Sequence, residues 1–499
     1  MRRMMCVTSL SVLLVGWSVA ASQGPAGQQP PPPPRAAILG QVVDADTGNP
    51  VADVTVLLAM RVAPARGAGA APMVPGMAAG GNQLRLLTGA DGKFVVRDVP
   101  AGNVQLSITA RGYVNGGYGQ TRPGGPVAPF TVEAGSTVAQ VTIRVWRTAA
   151  ITGVVTDERG EPRPGIQVRA LRQTYQRGQP RLTGTSMATT DDRGVYRISG
   201  LVPGSYAVVS PQSQLSMPTT TMDNAMQGIV SGDAQALMGA GLDFLSSGGA
   251  MLEAGVRVGD LIVGTQSGLM PVPHDDGRWR VYTTRFYPGV DVPSQATIIP
   301  LGSGDERSGV DIALPLAPTV SVSGIVMGPM GPVGNVGVRL RHAGESLVQD
   351  QTVDVGTATT RADGTFLFAA VPTGNYVVRV LRSPRPQIPA LALAQLPEEM
   401  KKTLGAFTSA GPLDAMTLFT EVPLPLERDL TGLTLTLTTG ATVAGRIEFE
   451  GAAAPSPTQG IQVQLTAIGG DWTAGPGFAA MTQAAAGRAN EDGTFVTAG

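Results

Sequence analysis

A glycine, an aromatic and a second glycine recur along this chain at fixed spacing, and that spacing leaves few folds open. Gly92 and Gly102, Gly194 and Gly204, and Gly364 and Gly374 each lie ten residues apart. Phe94, Tyr196 and Phe366 each stand two residues after the first glycine, and a fourth copy opens with Gly493 and Phe495. Aspartate directly precedes that glycine in Asp91-Gly92, Asp363-Gly364 and Asp492-Gly493. Asp tolerates turn conformations and bonds its own backbone, while Gly supplies positive φ without a Cβ clash. Alternation follows: Phe366 and Phe368 point one way, Thr365 and Leu367 the other, and Tyr376, Val378 and Val380 repeat the period. Proline turns sit between the two runs, at Pro100-Ala101-Gly102, Pro203-Gly204 and Pro372-Thr373-Gly374. The pattern predicts a β-hairpin in each of the first three copies, and the fourth lacks the second half. Such a hairpin is marginal alone in water, so it needs further strands.

Those strands are legible upstream and downstream. Each copy is preceded by a short run carrying one glycine, at Gly40, Gly153, Gly324 and Gly445. A polar Gly/Pro turn follows, then an alternating run: Val54/Val56, Ile166/Val168, Val336/Val338/Leu340 and Ile461/Val463/Leu465. Closing runs are Val141/Ile143/Val145, Val310/Ile312/Leu314 and Leu433/Leu435/Leu437. Many short strands with regular turns predict a β-sandwich, because a sheet with one apolar face must bury it against another layer. The expected fold class is all-β: tandem antiparallel β-sandwich domains with long, partly helical or disordered insertions.

The 499 residues suffice for three or four domains. Arg2 and Arg3, the apolar stretch Leu10 to Trp17 and Ser18-Val19-Ala20 read as a secretory signal over 1–21. A proline-rich linker occupies 22–35. Sandwich units are expected at 36–146, at 147–318 with an insertion at 211–278, and at 319–440 with an insertion at 385–420. An incomplete fourth unit at 441–499 is expected, which reads as a fragment or early truncation. The first unit also carries a Gly/Ala/Pro-rich insertion near 62–81. No long apolar run follows the signal, so no membrane-spanning helix is expected. With 15% charged residues and a net charge of −1, the chain has no electrostatic footprint for nucleic acid. The single cysteine, Cys6, precedes the apolar stretch, so the mature chain is expected to hold by packing without disulfides.

Chemistry-bearing constellations are sparse. His274 and His342 fall in separate units without a partnered acidic motif, so no catalytic zinc site is expected. Asp44, Asp46 and Asn49 lack the glycine and terminal acid of an EF-hand loop and read as a polar turn. Glu253 to Ile262 is similar to one strand-turn piece of a PDZ domain, whose remainder does not fit the residues available. Leu391 to Leu404 reads as a short amphipathic helix. The aromatic, Gly-rich loop Arg111 to Arg122 is the candidate contact surface, with Tyr113, Tyr118 and Arg122 as candidate ligand-binding residues, since tyrosine joins a large apolar area to a hydroxyl. The bland alternative is that both tyrosines cover the sandwich end.

Gly-x-Val followed by Asp-x-x-Gly-x-Pro, then Asp-Gly-x-Phe and Val-Pro-x-Gly-x-Tyr, resembles the carboxypeptidase regulatory-like domain, itself similar to transthyretin (prealbumin) and to the collagen-binding B-type repeats of bacterial surface proteins. The resemblance covers about 300 residues outside the insertions, most closely Trp146 to Val209, and its four ordered copies give it weight. It implies a seven- or eight-stranded sandwich acting as an accessory, adhesive or spacing module in a bacterial secreted, periplasmic or cell-surface protein. It implies no activity and no cofactor. An extracellular glycan or surface protein is the expected partner. The alternative is an exported N-terminal accessory region of a larger outer-membrane receptor or hydrolase. Some collagen-binding B-type repeats carry a Lys–Asn isopeptide bond, but Lys93, Lys401 and Lys402 are the only lysines and none lies in an opening strand, so no such crosslink is expected.

Overall fold

The computed structural model describes residues 35–60, 83–176, 178–223, 255–265, 269–343, 347–348, 353–382, 417–448, 461–464, 486–490 and 492–497. The signal-like segment, the linker up to residue 34, the 62–81 insertion and Leu391 to Leu404 lie outside them. Among the described residues the chain is almost entirely β.

Three sandwiches share one plan. In the first, the opening strand Ala36–Asp44 lies between the aromatic strand Lys93–Val99 and the closing strand Thr137–Val145. The facing sheet joins Gln83–Leu87, Thr55–Met60 and the return strand Gly102–Thr109. The second sandwich repeats this with opening strand Ala149–Thr156, aromatic strand Val195–Leu201 and return strand Gly204–Ser210. The third uses Leu316–Gly328, Thr365–Pro372 and Gly374–Arg382. Alternation then does the packing. Val54, Val56, Ile166, Val168, Val336, Val338 and Leu340 are all fully buried, and so are the closing-strand residues Ile143, Val310, Ile312 and Leu435. Each sandwich has its own apolar core.

The hairpin expectation is corrected. In each of the three sandwiches the aromatic and return strands belong to different sheets, and the proline turn between them is a corner that carries the chain across the core. The pairing of the opening and aromatic strands is irregular near the corner in all three units, at Ala36/Ile38, Ile198/Leu201 and Val320/Val322. Such an irregularity bends a strand away from its partner. The second and third corners are clasped from within: Tyr206 Oη donates to Val202 O at 2.6 Å and Tyr376 Oη to Pro372 O at 2.8 Å. The first unit has Val104 at that position and lacks the clasp.

The repeated glycines have one geometry. Gly92, Gly194, Gly364 and Gly493 have φ of +69°, +70°, +79° and +79°. A Cβ on any of the first three would lie 2.7–2.8 Å from the carbonyl oxygen of Val42, Val155 or Val326, and 2.9–3.0 Å from the Cβ of Pro50, Pro162 or Pro332. The opening-strand glycines answer to the aromatic. Gly40, Gly153, Gly324 and Gly445 face Phe94, Tyr196, Phe366 and Phe495 in register, and the ring lies over the bare Cα. In the second unit the phenol adds a hydrogen bond of 2.5 Å to Val310 O.

A buried threonine four residues before each of the first three turn glycines staples the connection that follows the opening strand to the one that precedes the aromatic strand, and sequence reading missed it. Thr88, Thr190 and Thr360 donate to Val51 O, Arg163 O and Val333 O, at 3.1, 2.6 and 2.9 Å. They accept from the amides of Val54, Ile166 and Val336 at 2.9–3.0 Å. In the fourth copy Ala489 stands there. Thr360→Val preserves shape but strands a buried amide and carbonyl, so the third unit is expected to lose about 1–3 kcal/mol in denaturant titration.

The described parts of the insertion at 211–278 leave the second sandwich and add strands to the third. Gln214–Pro218 pairs parallel to Gly356–Thr359, the third strand of sandwich three, and antiparallel to Leu261–Thr265, which in turn pairs with Val256–Val258. Trp279–Tyr282 pairs antiparallel to the first residues of the Leu316–Gly328 strand. Arg361 donates to both oxygens of Asp260, at 2.5 and 3.0 Å. The described part of the PDZ-like piece is therefore the edge strand of an eight-stranded sheet and the start of its neighbour. From the other side, Leu347 and Val348 of the third unit pack on Leu171, Leu182, Val209 and Phe286 of the second, and Leu182 N donates to Leu347 O at 2.8 Å.

Candidate functional site

The candidate loop is held at both ends by backbone. Val114 N donates to Trp146 O at 2.8 Å, Tyr118 N to Leu106 O at 3.0 Å and Ala128 N to Tyr118 O at 2.8 Å. Its glycines allow close approach: a Cβ on Gly119, which has φ +80°, would sit 2.5 Å from Ala128 Cβ. Buried Gln120 ties the turn internally, accepting from Gly117 N at 3.2 Å and donating to Gly125 O at 2.5 Å.

The three candidate residues go to different places. Tyr113 is half-buried, and its hydroxyl donates to Asp44 Oδ2 at 3.1 Å. Tyr118 packs edge-on against Phe130, ring centroids 4.9 Å apart, beside the first core. Arg122 is exposed. Both tyrosines thus cover the sandwich end.

The loop meets the linker to the second unit. Arg147 Nε donates to Asp44 Oδ2 at 2.9 Å, and its guanidinium lies 5.9 Å from the Tyr113 ring centroid. Arg147 N donates to Ser303 Oγ at 3.0 Å and Thr148 N to Gly112 O at 2.9 Å. Asp44 also accepts from the Asp46 and Thr47 amides, both at 3.1 Å. These donors occupy the carboxylate, so Asp44, Asp46 and Asn49 form a junction turn. Burial raises the Asp44 pKa, but Arg147, the two amides and the Tyr113 hydroxyl outweigh it and hold the group at about 2, below its ordinary 3.8. A depressed carboxylate pKa stabilises the fold above the unfolded value and loses that contribution as pH falls from about 4 through about 2. The contribution is on the order of 1 kcal/mol, since Arg147 faces solvent. Tyr113→Phe is expected to cost the first unit about 1 kcal/mol at neutral pH and to move its acid unfolding to higher pH. Far-UV circular dichroism across pH 2–5 reads this.

Asp44 and Arg147 were the residues sequence reading undervalued. Asp157 repeats the Asp44 position, with Oδ1 accepting from Arg159 and Glu161 amides at 2.9 Å. That repetition was the available signal. Of the histidines, His274 is exposed beside Asp276 at 3.3 Å, while His342 lies against the Tyr376 ring at 5.3 Å and burial lowers its pKa. Among the described residues no cluster of His, Cys, Asp and Glu has the makings of a metal site, and no helix is long and apolar enough to cross a membrane. Lys93 forms an ion pair with Asp91 at 3.3 Å; Lys401 and Lys402 lie outside the described residues.

The fold and junction define a class: a tandem array of two-sheet β-sandwiches whose units are joined through polar and strand-sharing contacts. Residues 150–222 match the model of the carboxypeptidase regulatory-like domain, so the second unit is similar to that domain, and the same plan recurs on either side of it. No curated protein matches the chain. Among solved structures it is similar to GBS52, the minor pilin of Streptococcus agalactiae, at 11% identity and TM-score 0.23, covering 57% of this chain and 97% of that one. It is also similar to BcpA, the major pilin subunit of Bacillus cereus, at 9% identity and TM-score 0.17, covering 81% and 100%. A third is the Bacillus anthracis TIE protein, at 8% identity and TM-score 0.18, where 82% of this chain spans 51% of that one.

Proposed function

We propose that this chain is an exported, non-enzymatic spacer at a bacterial cell surface, presenting its loops to an extracellular glycan or surface protein. The observation that carries this is the course of the chain through each unit. Opening and closing strands are neighbours and run parallel. The chain therefore enters a sandwich at one end and leaves at the other, as a string of spacers requires. Two supports are independent of this: the signal-like N-terminus, and a matched domain described as regulatory-like.

Small-angle scattering of the purified chain tests the spacer. A radius of gyration well above the roughly 23 Å of a compact chain of 499 residues is expected, and a value near it sinks the reading. Mass spectrometry of exported protein should find a mature N-terminus near Ala20 to Ser22. Presentation is tested on glycan and cell-wall arrays, where Arg122→Ala should weaken any binding without changing the melting temperature, because that side chain is exposed. Turnover of peptide or glycan substrates would overturn the non-enzymatic reading.

A further inference from the structure

The parallel neighbours have a mechanical meaning. In the first unit the ladder between opening and closing strands runs from Ala37/Thr137 to Asp44/Val145. In the third it runs from Val322/Leu430 to Met327/Thr436. In the second it is split, with Glu306–Arg307 beside Ala150/Ile151 and Ile312–Ala313 beside Val155/Thr156. Asp311 Oδ1 fills the gap by accepting from Val154 N at 2.9 Å.

Tension applied to the two ends of the chain reaches a unit at the start of its opening strand and the finish of its closing strand. Because the strands are parallel, those points lie at opposite ends of one ladder. The strands are then pulled past each other along their length, and the ladder hydrogen bonds share the load and must break together. Were the strands antiparallel neighbours, the same tension would open the ladder one bond at a time. Each bond contributes only about 1 kcal/mol at equilibrium, so the protection is one of unfolding rate under force. The opening strand is also held on its other flank by the aromatic strand, from Ala36/Val99 to Gln41/Lys93.

We propose that each sandwich is a shear-loaded clamp and that the array carries tension between whatever its two ends hold. This rests on the spacer reading for the direction of the load. It adds a load-bearing role reached through backbone ladders, in a chain with one cysteine.

Single-molecule pulling on the full chain, in a Cys6→Ser background, tests it in the first unit. Arg35, Asp46 and Arg144 are exposed and serve as handle sites. Handles at Arg35→Cys with Arg144→Cys load the ladder in shear. Handles at Asp46→Cys with Arg144→Cys pull at the same end of both strands and peel them. At one loading rate the shear pair is expected to unfold at several times the force of the peel pair, while both variants melt at the same temperature. Thr142→Cys, also exposed, replaces Arg144→Cys if either variant melts early. Equal forces in the two geometries, or a weaker shear geometry, would overturn the clamp. Scattering reads extension without load, so a failed clamp and a failed spacer give different results.

Discussion

Replacing Phe366 by alanine is expected to cost the third sandwich about 3–5 kcal/mol and to lower the second sandwich with it. The ring is 1% exposed, packs edge-on against Phe368 at 5.9 Å and covers the bare Cα of Gly324. Removing it leaves a cavity roofed by a glycine that offers no side chain to refill it. The second sandwich shares in the loss because the chain that follows its return strand supplies strands to both sheets of the third. The Asp260–Arg361 pair and the cluster around Leu182 and Val348 tie the two again. Pulsed hydrogen exchange through a denaturant titration separates the units. Peptides covering 195–210 and 365–382 should shift to lower denaturant together, while those covering 93–109 stay in place. A third sandwich that falls alone would refute the coupling, and a shift within about 0.5 kcal/mol would place Phe366 on the surface.

Gly364→Val is expected to be nearly as damaging, at about 3–4 kcal/mol. Two effects add. Valine is forced to a φ of +79°, and its Cβ is driven to 2.8 Å from Val326 O and 2.9 Å from Pro332 Cβ. Gly160 separates the two, having the same φ of +79° with nothing within 4 Å. Gly160→Val should therefore show the backbone strain without the crowding, about 1–2 kcal/mol. Equal losses at both positions, read from denaturant midpoints, would show that crowding at Gly364 is unimportant.

What the sequence reveals and conceals follows from the range of each interaction. Strand alternation is a period-two property of adjacent residues, so Val336, Val338 and Leu340 announce their burial locally. The Asp-Gly turn is equally local, since Asp363 Oδ1 accepts from Thr365 N at 2.9 Å. The corner reads as a hairpin in sequence because a Pro-x-Gly turn has the same composition whether its flanking strands pair or part. The partner of Gln214–Pro218 was invisible for another reason. Strand addition is made by backbone groups common to all residues, so side chains did not label Gly356–Thr359 as the acceptor. In the candidate site, Tyr113 stood out as a loop aromatic, but its hydroxyl meets Asp44, 69 residues upstream. Only the recurrence of an aspartate at Asp157 hinted that this carboxylate holds a turn together.

The borrowed strands also govern how the gene can be cut. A coding boundary at Thr319 falls inside the Leu316–Gly328 strand and discards its first three residues together with the Trp279–Tyr282 strand that pairs with them. It also bares the Gly356–Thr359 edge for any passing extended chain. A fragment meant to stay monomeric must begin no later than Gln212, which brings the second sandwich's last strands along as passengers. Recombination that shuffles whole repeats is expected to respect the seam after the first sandwich, and to move the next two as an inseparable pair.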